Sequence, residues 1–244
     1  MNKNNSQSQH IVDINNVHFS WPGKHSFSVE IDTFSLNNGE RLFLLGPSGS
    51  GKSTLLSLIT GIVSPQEGEV NVLGTNLGDL SSAARDRFRA EHFGIIFQMF
   101  NLLPYASAID NVMLPLQFAP QREKKVTQNG GAQHEAHRLL TALGIDEKLH
   151  DKPAAKLSVG QQQRVAAARA LIGSPQIIIA DEPTSALDRD RQQNFLDLLF
   201  TQASDTGTSI LMVSHDNSHQ NRFDRIIHLP ELINPVLINT GETK

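Results

Sequence analysis

A glycine-rich stretch between a short apolar run and a helical pattern constrains this chain more than any other feature. Residues 46–54 read GPSGSGKST, and they follow the apolar run Leu42–Leu45 and open the helical pattern of Thr54–Thr60. The spacing matches G-x-x-x-x-G-K-S/T, in which glycines let the backbone wrap a phosphate chain and a helix N-terminus adds positive potential. The chain is therefore expected to bind a nucleotide phosphate at a strand–loop–helix junction.

The loop supplies both a charge and a hydroxyl for this site. The side chain of Lys52 can reach the outer phosphates, and the hydroxyl of Ser53 is suited to Mg²⁺. The alternative is a glycine- and serine-rich turn that happens to precede a lysine, which the strand before it and the helix after it disfavour. The residues expected to contact the nucleotide here are Gly46, Pro47, Ser48, Gly49, Ser50, Gly51, Lys52, Ser53 and Thr54.

Four short apolar runs predict buried strands. Each is bounded by glycine, charged or polar residues, and they are Leu42–Leu45, Phe93–Phe97, Ile177–Ala180 and Ile210–Val213. Such runs suit strands that are covered on both faces, as in a parallel sheet between helices. Because helical spacing occurs between them, as in Phe195–Phe200, the sequence predicts an α/β fold with a mostly parallel core sheet.

Two regions outside this core have different patterns. Ile11–Ile31 alternates apolar and polar residues, which predicts an N-terminal antiparallel β subdomain. Residues from about 99 to 160 lack a strand-like run, so we expect a helical insertion in the same domain. Within it, Ala119–Gln133 is polar and contains Pro, Asn and adjacent Gly residues, which predicts an exposed, mobile loop with Arg122 in solvent.

One domain is expected over residues 11–229, between a polar tail at 1–10 and a short C-terminal tail at 230–244. Residues 1–10 lack the apolar core of a signal peptide. No apolar run approaches the roughly 18–20 residues that cross a bilayer, so membrane contact is expected only through a partner.

Composition argues against several classes of function. The formal net charge is −4 and the basic residues are scattered, so we expect no nucleic-acid partner. The chain has no cysteine, which rules out disulfides, thiolate metal sites and cysteine nucleophiles and fits a reducing compartment.

Polar residues follow two of the predicted strands. Asp181 and Glu182 come directly after Ile177–Ala180, and His215 comes soon after Ile210–Val213. Beside a phosphate loop, a carboxylate at a strand end can hold Mg²⁺ through water, and an adjacent glutamate can deprotonate the attacking water. Without that loop, Asp-Glu-Pro would be an ordinary polar turn, and a lone histidine is more often a surface or core residue.

A second helix start lies about twenty residues before Asp181. The sequence Leu157-Ser158-Val159-Gly160-Gln161 places Ser158 as an N-cap, and Gly160 leaves the neighbouring backbone amides uncovered. Such an end suits an anion, although in isolation it would be an ordinary capped helix.

Taken together, these segments resemble the nucleotide-binding domain of ATP-binding cassette (ABC) transporters. The matching residues, in chain order, are Gly46–Thr54, Gln98, Leu157–Gln161, Ile177–Glu182, Ser185–Asp188 and His215. The resemblance extends over residues 11–229, which is nearly the whole chain. Motifs in this order and at these spacings are very specific, so the chain is identified as a member of that family.

The resemblance implies a role for each motif in binding and hydrolysing ATP. Gly46–Thr54 is similar to the Walker A loop and Ile177–Asp181 to the Walker B strand, while Ser185–Asp188 resembles the D-loop, with Asp188 near the nucleotide. The implied Mg²⁺ ligands are Ser53, Gln98 and Asp181. The implied catalytic residues are Lys52, Gln98, the general base Glu182 and the γ-phosphate contact His215.

The adenine position is implied by an aromatic residue near the N-terminus. Trp21 lies where the family places a ring that stacks on adenine, and Phe19 is the alternative. As a strand residue, Phe19 is the better candidate for the core, so we expect Trp21 to make this contact.

Membership of the family also implies a homodimer that encloses two ATP molecules between its subunits. Ser158, Gly160 and Gln161 would then act on the γ-phosphate bound by the partner. Val159 departs from the commonest signature, which has Gly, and a β-branched residue restricts the backbone there. Because the other signature residues remain, activity is expected to survive.

Residues 97–104 (FQMFNLLP) and 161–165 (QQQRV) resemble the lipoprotein-releasing and macrolide-efflux group of the family. The resemblance implies a peripheral ATPase at the cytoplasmic face of the inner membrane that drives an integral membrane permease. The cell-division ATPase of the same group shares much of the pattern, so a non-transport role in a division or signalling complex stays open. A soluble ABC ATPase acting on ribosomes or DNA, or a small-metabolite kinase, fits the sequence less well.

An apolar cluster follows Gln98. It consists of Met99, Phe100, Leu102, Leu103 and Tyr105. Either it is ordinary core, or part of it lines a groove that accepts a cytoplasmic helix of the membrane partner.

Overall fold

A computed structural model describes residues 10–22, 27–185 and 187–237. Most of the expected N-terminal tail, the last residues of the expected C-terminal tail and Ala186 of the D-loop lie outside the described residues. The strands are β1 (His10–Ser20), β2 (Phe27–Asn37), β3 (Arg41–Leu45), β4 (Glu67–Val72), β5 (Thr75–Asn76), β6 (Phe93–Ile96), β7 (Ile177–Asp181), β8 (Ser209–Ser214), β9 (Arg225–His228) and β10 (Asn234–Leu237). The helices are α1 (Lys52–Ile59), α2 (Ser82–His92), α3 (Ala108–Met113), α4 (Pro120–Gln128), α5 (Ala132–Ala142), α6 (Val159–Leu171), α7 (Arg189–Thr206) and α8 (Leu229–Leu232).

The four predicted apolar runs and a fifth strand, β9, form one parallel sheet. Its strand order is β6-β7-β8-β3-β9, and each neighbouring pair is parallel. Along β7, Ile177 and Ile179 face one apolar cluster, whereas Ile178 and Ala180 face the other. The sheet is therefore buried on both faces, which explains why its strands are continuous apolar runs rather than alternating ones.

The N-terminal alternating segment forms the predicted antiparallel sheet. Its order is β10-β2-β1-β4-β5, and β1 pairs with β2 over nearly its whole length. The apolar cluster under this sheet also contains residues of α1 and one face of the parallel sheet. Helix α1 therefore packs between the two sheets, and its N-terminus is held at the end of β3.

The region from 99 to 160 contains helices and short 3₁₀ turns, as the sequence predicts, but its polar segment is not a loop. Residues 120–128 form α4, and Arg122 is 2% exposed. The Arg122 guanidinium donates to the backbone oxygens of Ala90, Phe93, Ala170 and Ile172. The expectation of a solvated Arg122 was wrong, because these carbonyls at the ends of α2 and α6 replace water around the charge.

The C-terminal tail expected from residue 230 is structured as far as Leu237. Strand β10 pairs antiparallel with β2, and Leu229 and Ile233 are buried. Pro230 lies in the first turn of the short helix α8 and does not end the fold, since the chain continues to an open edge of the antiparallel sheet. Among the described residues, no helix has the length and apolar character required to cross a membrane.

Candidate active site

The carboxyl ends of four parallel strands bring the predicted catalytic residues to one cleft. Strand β3 leads into the phosphate loop, β6 leads to Gln98, β7 ends at Asp181, and β8 leads to His215. Parallel strands present these ends at the same edge of a sheet, where ligands of open α/β folds bind. The cleft has a volume of about 450 Å³, and it is lined by Phe27, Ser48, Gly49, Gly51, Lys52, Ser53, Thr54, Gln98, Asp181, Glu182 and His215.

The loop before α1 depends on its glycines. Gly49 and Gly51 have φ values of +79° and +93°, which ordinary residues adopt only at a cost. A Cβ on Gly46 would lie 2.7 Å from Ser50 Oγ, so no larger residue fits that position without movement. Gly51 is the N-cap of α1, and no side chain of the described residues caps it. The first amides of α1 therefore face the cleft without a side-chain acceptor.

Lys52, Glu182 and His215 form a compact polar cluster. Lys52 Nζ lies 3.2 Å from Glu182 Oε1 and donates to the Gly46 carbonyl at 2.7 Å. His215 Nδ1 is 2.8 Å from the same carboxylate oxygen, and Ser214 Oγ donates to the other one at 3.1 Å. Because the carboxylate is buried and the imidazole is largely exposed, Glu182 is fixed from several sides while His215 faces the cleft.

Glu182 has an unusual backbone. Its φ is +48°, and its amide donates to the Val213 carbonyl at 2.9 Å. The left-handed region costs a residue with a Cβ roughly 1–2 kcal/mol, so the surrounding structure must impose it. The turn carries the carboxylate away from β7 and towards Lys52 and His215.

Asp181 precedes this turn at the end of β7 and is half-buried, whereas Glu182 is buried. Burial raises the pKa of its carboxyl, the charge of Glu182 adds to the shift, and Lys52 partly opposes it. A cation placed beside Asp181 would favour its ionised form. Ser53, Gln98 and Asp181 all line the cleft, so the three predicted Mg²⁺ ligands border the same space.

The signature residues do not line this cleft. Ser158 Oγ accepts from the Gln161 amide at 3.3 Å, and Gln161 Oε1 accepts from the Ser158 amide at 2.9 Å, which together form a capping box at the start of α6. Val159 is 52% exposed and does not have a positive φ, so the β-branched residue fits the helical start. Asp188 also lies outside the cleft, where it caps α7 by accepting from the Arg191 amide.

The structure gives the two candidate aromatic residues, Phe19 and Trp21, different environments, and it shows a third aromatic residue at the cleft. Phe19 is buried and contacts Trp21 edge to face, with ring centroids 5.1 Å apart. Trp21 is part-exposed, and its indole N–H donates to Thr54 Oγ1 at 3.0 Å, so the ring is fixed beside α1. Phe27 lines the cleft itself, and the sequence analysis missed it. The contact between Trp21 and adenine stays a prediction.

An apolar groove of about 680 Å³ lies between α2, β6, α4 and the 3₁₀ turn after α3. Its apolar wall includes Phe93, Ile95, Phe97, Leu114, Pro115 and Phe118, and its rim carries Asp86, Arg87 and Arg89. The cluster expected after Gln98 is not part of it, since Met99 and Tyr105 are exposed outside the groove and Phe100 is buried.

Comparison with known proteins identifies similar chains. The family model described as ABC transporter matches residues 29–185. An uncharacterised ABC transporter ATP-binding protein, YbbA of Escherichia coli K12, is 38% identical over 91% of this chain and 95% of its own length. The lipoprotein-releasing system ATP-binding protein LolD of Francisella tularensis is 38% identical over 84% of this chain and 87% of its own length.

Solved structures show the same fold. The dimeric ATP-binding cassette MJ0796 in a post-hydrolysis state with ADP and Pi aligns with a TM-score of 0.75 and 35% identity, covering 89% of this chain and 93% of that one. CbiO1 of Clostridium perfringens, part of the transporter complex cbiONQ, aligns with a TM-score of 0.76 and 26% identity, covering 94% and 89% of the two chains.

Proposed function

The chain belongs to the ABC transporter family of ATP-binding domains, and we propose that it hydrolyses ATP to drive a separate integral membrane permease. The observation that carries this proposal is the meeting of Lys52, Asp181, Glu182 and His215 around one cleft at the N-terminus of α1. A small-metabolite kinase would need the phosphate loop but would have no use for the capped end of α6.

In the proposed reaction, the triphosphate lies along the loop from Gly46 to Thr54, whose amides and Lys52 neutralise its charge. The charge of the outer phosphates competes with Glu182 for Lys52, which releases one contact from Glu182 Oε1. The carboxylate then accepts a proton from the attacking water as the water oxygen bonds to the γ-phosphorus and the bond to the ADP oxygen breaks, while His215 contacts the γ-phosphate. The Ser214 hydroxyl keeps the other carboxylate oxygen in place during this transfer.

The chemistry of the donors fits Mg²⁺. Ser53, Gln98 and Asp181 offer oxygen atoms, which this hard cation prefers. Among the described residues, no group of three or more His, Cys, Asp or Glu side chains could hold a metal by itself. That agrees with Mg²⁺ sites in which substrate phosphates and water complete the coordination. Bound there, Mg²⁺ would neutralise charge that develops on the phosphates.

We further propose that two copies of the chain enclose two ATP molecules. MJ0796, a similar cassette, is dimeric in its solved structure. The hydroxyl of Ser158 accepts the Gln161 amide and keeps its own proton for another acceptor. Ser158, Gly160 and Gln161 would therefore present their donors to the γ-phosphate of the second copy, with Asp188 at the same interface.

The groove beside α2 is the proposed contact with the permease. Its apolar wall and charged rim suit an amphipathic helix, and Phe118 is 62% exposed. The subunit would then lie at the cytoplasmic face of the inner membrane, bound through its partner. In keeping with the LolD-like relatives, the work would be export or mechanical transmission. A pull-down from detergent-solubilised membranes identifies the partner and distinguishes a transporter from a division complex.

Glu182→Gln tests the proposed chemistry. The variant is expected to lose ATP hydrolysis by a factor on the order of 10²–10⁴, because the amide cannot accept the proton of water. It should still bind ATP and accumulate as an ATP-dependent dimer, measured by phosphate release and size-exclusion chromatography. Glu123→Gln, on the exposed face of α4, is the matched control and should retain activity. Undiminished hydrolysis by Glu182→Gln would contradict the role of the carboxylate.

A further inference from the structure

Two buried glutamines hold the chain immediately after Glu182. Gln163 of α6 donates to the Pro183 carbonyl, and Gln192 of α7 donates to the carbonyls of Thr184 and Leu187, at 3.1 and 2.9 Å. Both side chains are almost fully buried. The backbone that follows the strained Glu182 is therefore fixed by side chains from two helices.

The contacts of Gln192 define which way its amide points. Two carbonyl acceptors require the NH₂ group on their side, so Oε1 must face the remaining neighbour, His219. His219 Nε2 lies 2.6 Å from Oε1 and must carry a proton to donate. Gln192 thus satisfies three polar groups with one side chain, and an apolar replacement would satisfy none of them.

His219 belongs to the loop that begins with His215, and that loop is itself closed by hydrogen bonds. The Asp216 amide donates to Ser214 Oγ at 3.1 Å, and the Ser218 amide donates to Asp216 Oδ1 at 2.9 Å. Ser214 Oγ donates in turn to Glu182 Oε2. Together with the contacts of Gln192, these hydrogen bonds form a closed ring. It runs from the backbone after Glu182 to Gln192, on to His219 and its loop, and back through Ser214 to the Glu182 carboxylate.

We propose that Gln192, acting through His219, is a positioning residue that keeps the side chains of Glu182 and His215 in the relative positions that hydrolysis requires. The inference rests on the catalytic role proposed for Glu182. Gln192, on α7, connects the segment after Glu182 with the loop after His215. It does not line the cleft. Its effect should therefore fall on the rate of the chemical step rather than on nucleotide binding.

The backbone conformation of Glu182 explains why the hydrogen bonds of Gln192 matter. A left-handed residue returns to a relaxed conformation when its neighbours are free to move. Relaxation at Glu182 would shift the carboxylate relative to the attacking water, and a misplacement of about 1 Å can cost up to about a hundredfold in rate. The phosphate loop has contacts outside this ring, because Leu229 packs on Gly46 and Ile233 on Gly51, and the Gly46 amide donates to the backbone carbonyl of Ser214 at 3.1 Å.

Gln192→Leu tests the inference, because leucine keeps the volume and removes all three hydrogen bonds. We expect kcat for ATP hydrolysis to fall by about tenfold while the affinity for ATP stays within about twofold. The matched control is Gln193→Leu, the same substitution at the next, exposed residue of α7. Equal kcat values for the two leucine variants would overturn the inference.

His219 supplies a second arm that does not depend on a buried substitution. His219→Ala should lower kcat as Gln192→Leu does, and His219→Gln should restore it, because the glutamine amide can donate to Gln192 Oε1 in place of the imidazole. The double variant His219→Ala with Gln192→Leu should be no slower than the slower single variant, since both substitutions remove the hydrogen bond between residues 192 and 219. Additive losses, or a parallel loss of ATP affinity and thermal midpoint, would overturn the positioning role.

Glu182→Gln, measured beside these variants, distinguishes a failure of the catalytic role proposed for Glu182 from a failure of the positioning role inferred for Gln192. If it abolishes hydrolysis while Gln192→Leu does not, only the inference about Gln192 fails. If Glu182→Gln hydrolyses ATP normally, the proposed function fails and the inference fails with it.

Discussion

Helices α1 and α6 both begin at a segment suited to an anion, yet their first turns are satisfied in different ways. Helix α1 starts at Gly51, which has no side-chain cap among the described residues, and its first residue is Lys52 inside the cleft. Helix α6 starts at Ser158, which forms a capping box with Gln161 outside the cleft. The first end is an anion site within one chain, whereas at the second the capping box already satisfies the amides of Ser158 and Gln161.

This difference suggests that the two helix ends have different roles in the proposed dimer, with ATP binding at α1 and contact with the second copy at α6. The amides of α1 need an acceptor, so ATP should bind there to a single subunit. At α6, the cap leaves the hydroxyl proton of Ser158 available, and the Val159 side chain is exposed. Binding and hydrolysis should therefore respond separately to changes at the two ends.

Among changes at the two helix ends, the largest effect on ATP binding is expected from Lys52→Ala at α1. Loss of a charged donor to the phosphates should weaken ATP binding by roughly 10–100-fold. Fluorescence titration of the single tryptophan, Trp21, measures this affinity in the separated subunit. Lys148→Ala, at an exposed residue that does not line the cleft, should bind ATP as the parent does. Normal affinity in Lys52→Ala would remove α1 from the phosphate site.

A matched pair of glycine substitutions should move stability in opposite directions. Gly51→Ala places a Cβ at φ +93° and 3.1 Å from Ile233 Cδ1, which should lower the free energy of unfolding by about 1–2 kcal/mol and weaken ATP binding. Gly160 does not have a positive φ, and a Cβ there would meet only Leu187 at 3.7 Å. Gly160→Ala should therefore keep or gain up to about 1 kcal/mol.

Activity should separate the same pair. ATP binding by Gly160→Ala is expected to be normal, while hydrolysis falls because the new methyl group faces the γ-phosphate of the second copy. Denaturant titration and phosphate release measure the two properties side by side. Active Gly160→Ala would show that α6 does not contact nucleotide in the dimer.

The smallest effect is expected from Ser158→Ala. Loss of the N-cap should lower the free energy of unfolding by about 1 kcal/mol, and ATP binding by the separated subunit should not change. Hydrolysis and ATP-dependent dimerisation should fall more than this small loss of stability explains. Ser158→Thr, which keeps the cap and the hydroxyl, is the control, and equal activity in both variants would contradict a catalytic contact.

The sequence predicts those parts of the molecule that local pattern determines. The phosphate loop, the strands around Leu42–Leu45 and Ile177–Ala180, and the capped end at Ser158 are each specified within a few residues. The cleft follows from them, because parallel strands bring their carboxyl ends together. The comparisons confirm the family and the fold.

The parts that were missed depend on contacts between distant segments. Arg122 has a polar neighbourhood in sequence, and only the ends of α2 and α6 make it a buried residue. Phe27 and Gln192 carry no local signal, since one lies at a strand start and the other in a polar helical turn. The apolar run Pro235–Leu237 could have suggested a strand, and its proline an edge position, but neither identifies β2 as the partner.

The pairing of β10 with β2 also has a consequence for the order in which the chain is synthesised. A Cβ on Gly46 would lie 3.0 Å from Leu229 Cβ, and Gly51 has Ile233 as a close neighbour. The phosphate loop thus leaves the ribosome long before the residues that pack against it. Until residue 233 has emerged, the loop of a nascent chain lacks the packing of Leu229 and Ile233, so we expect competence for nucleotide binding to be acquired late in translation.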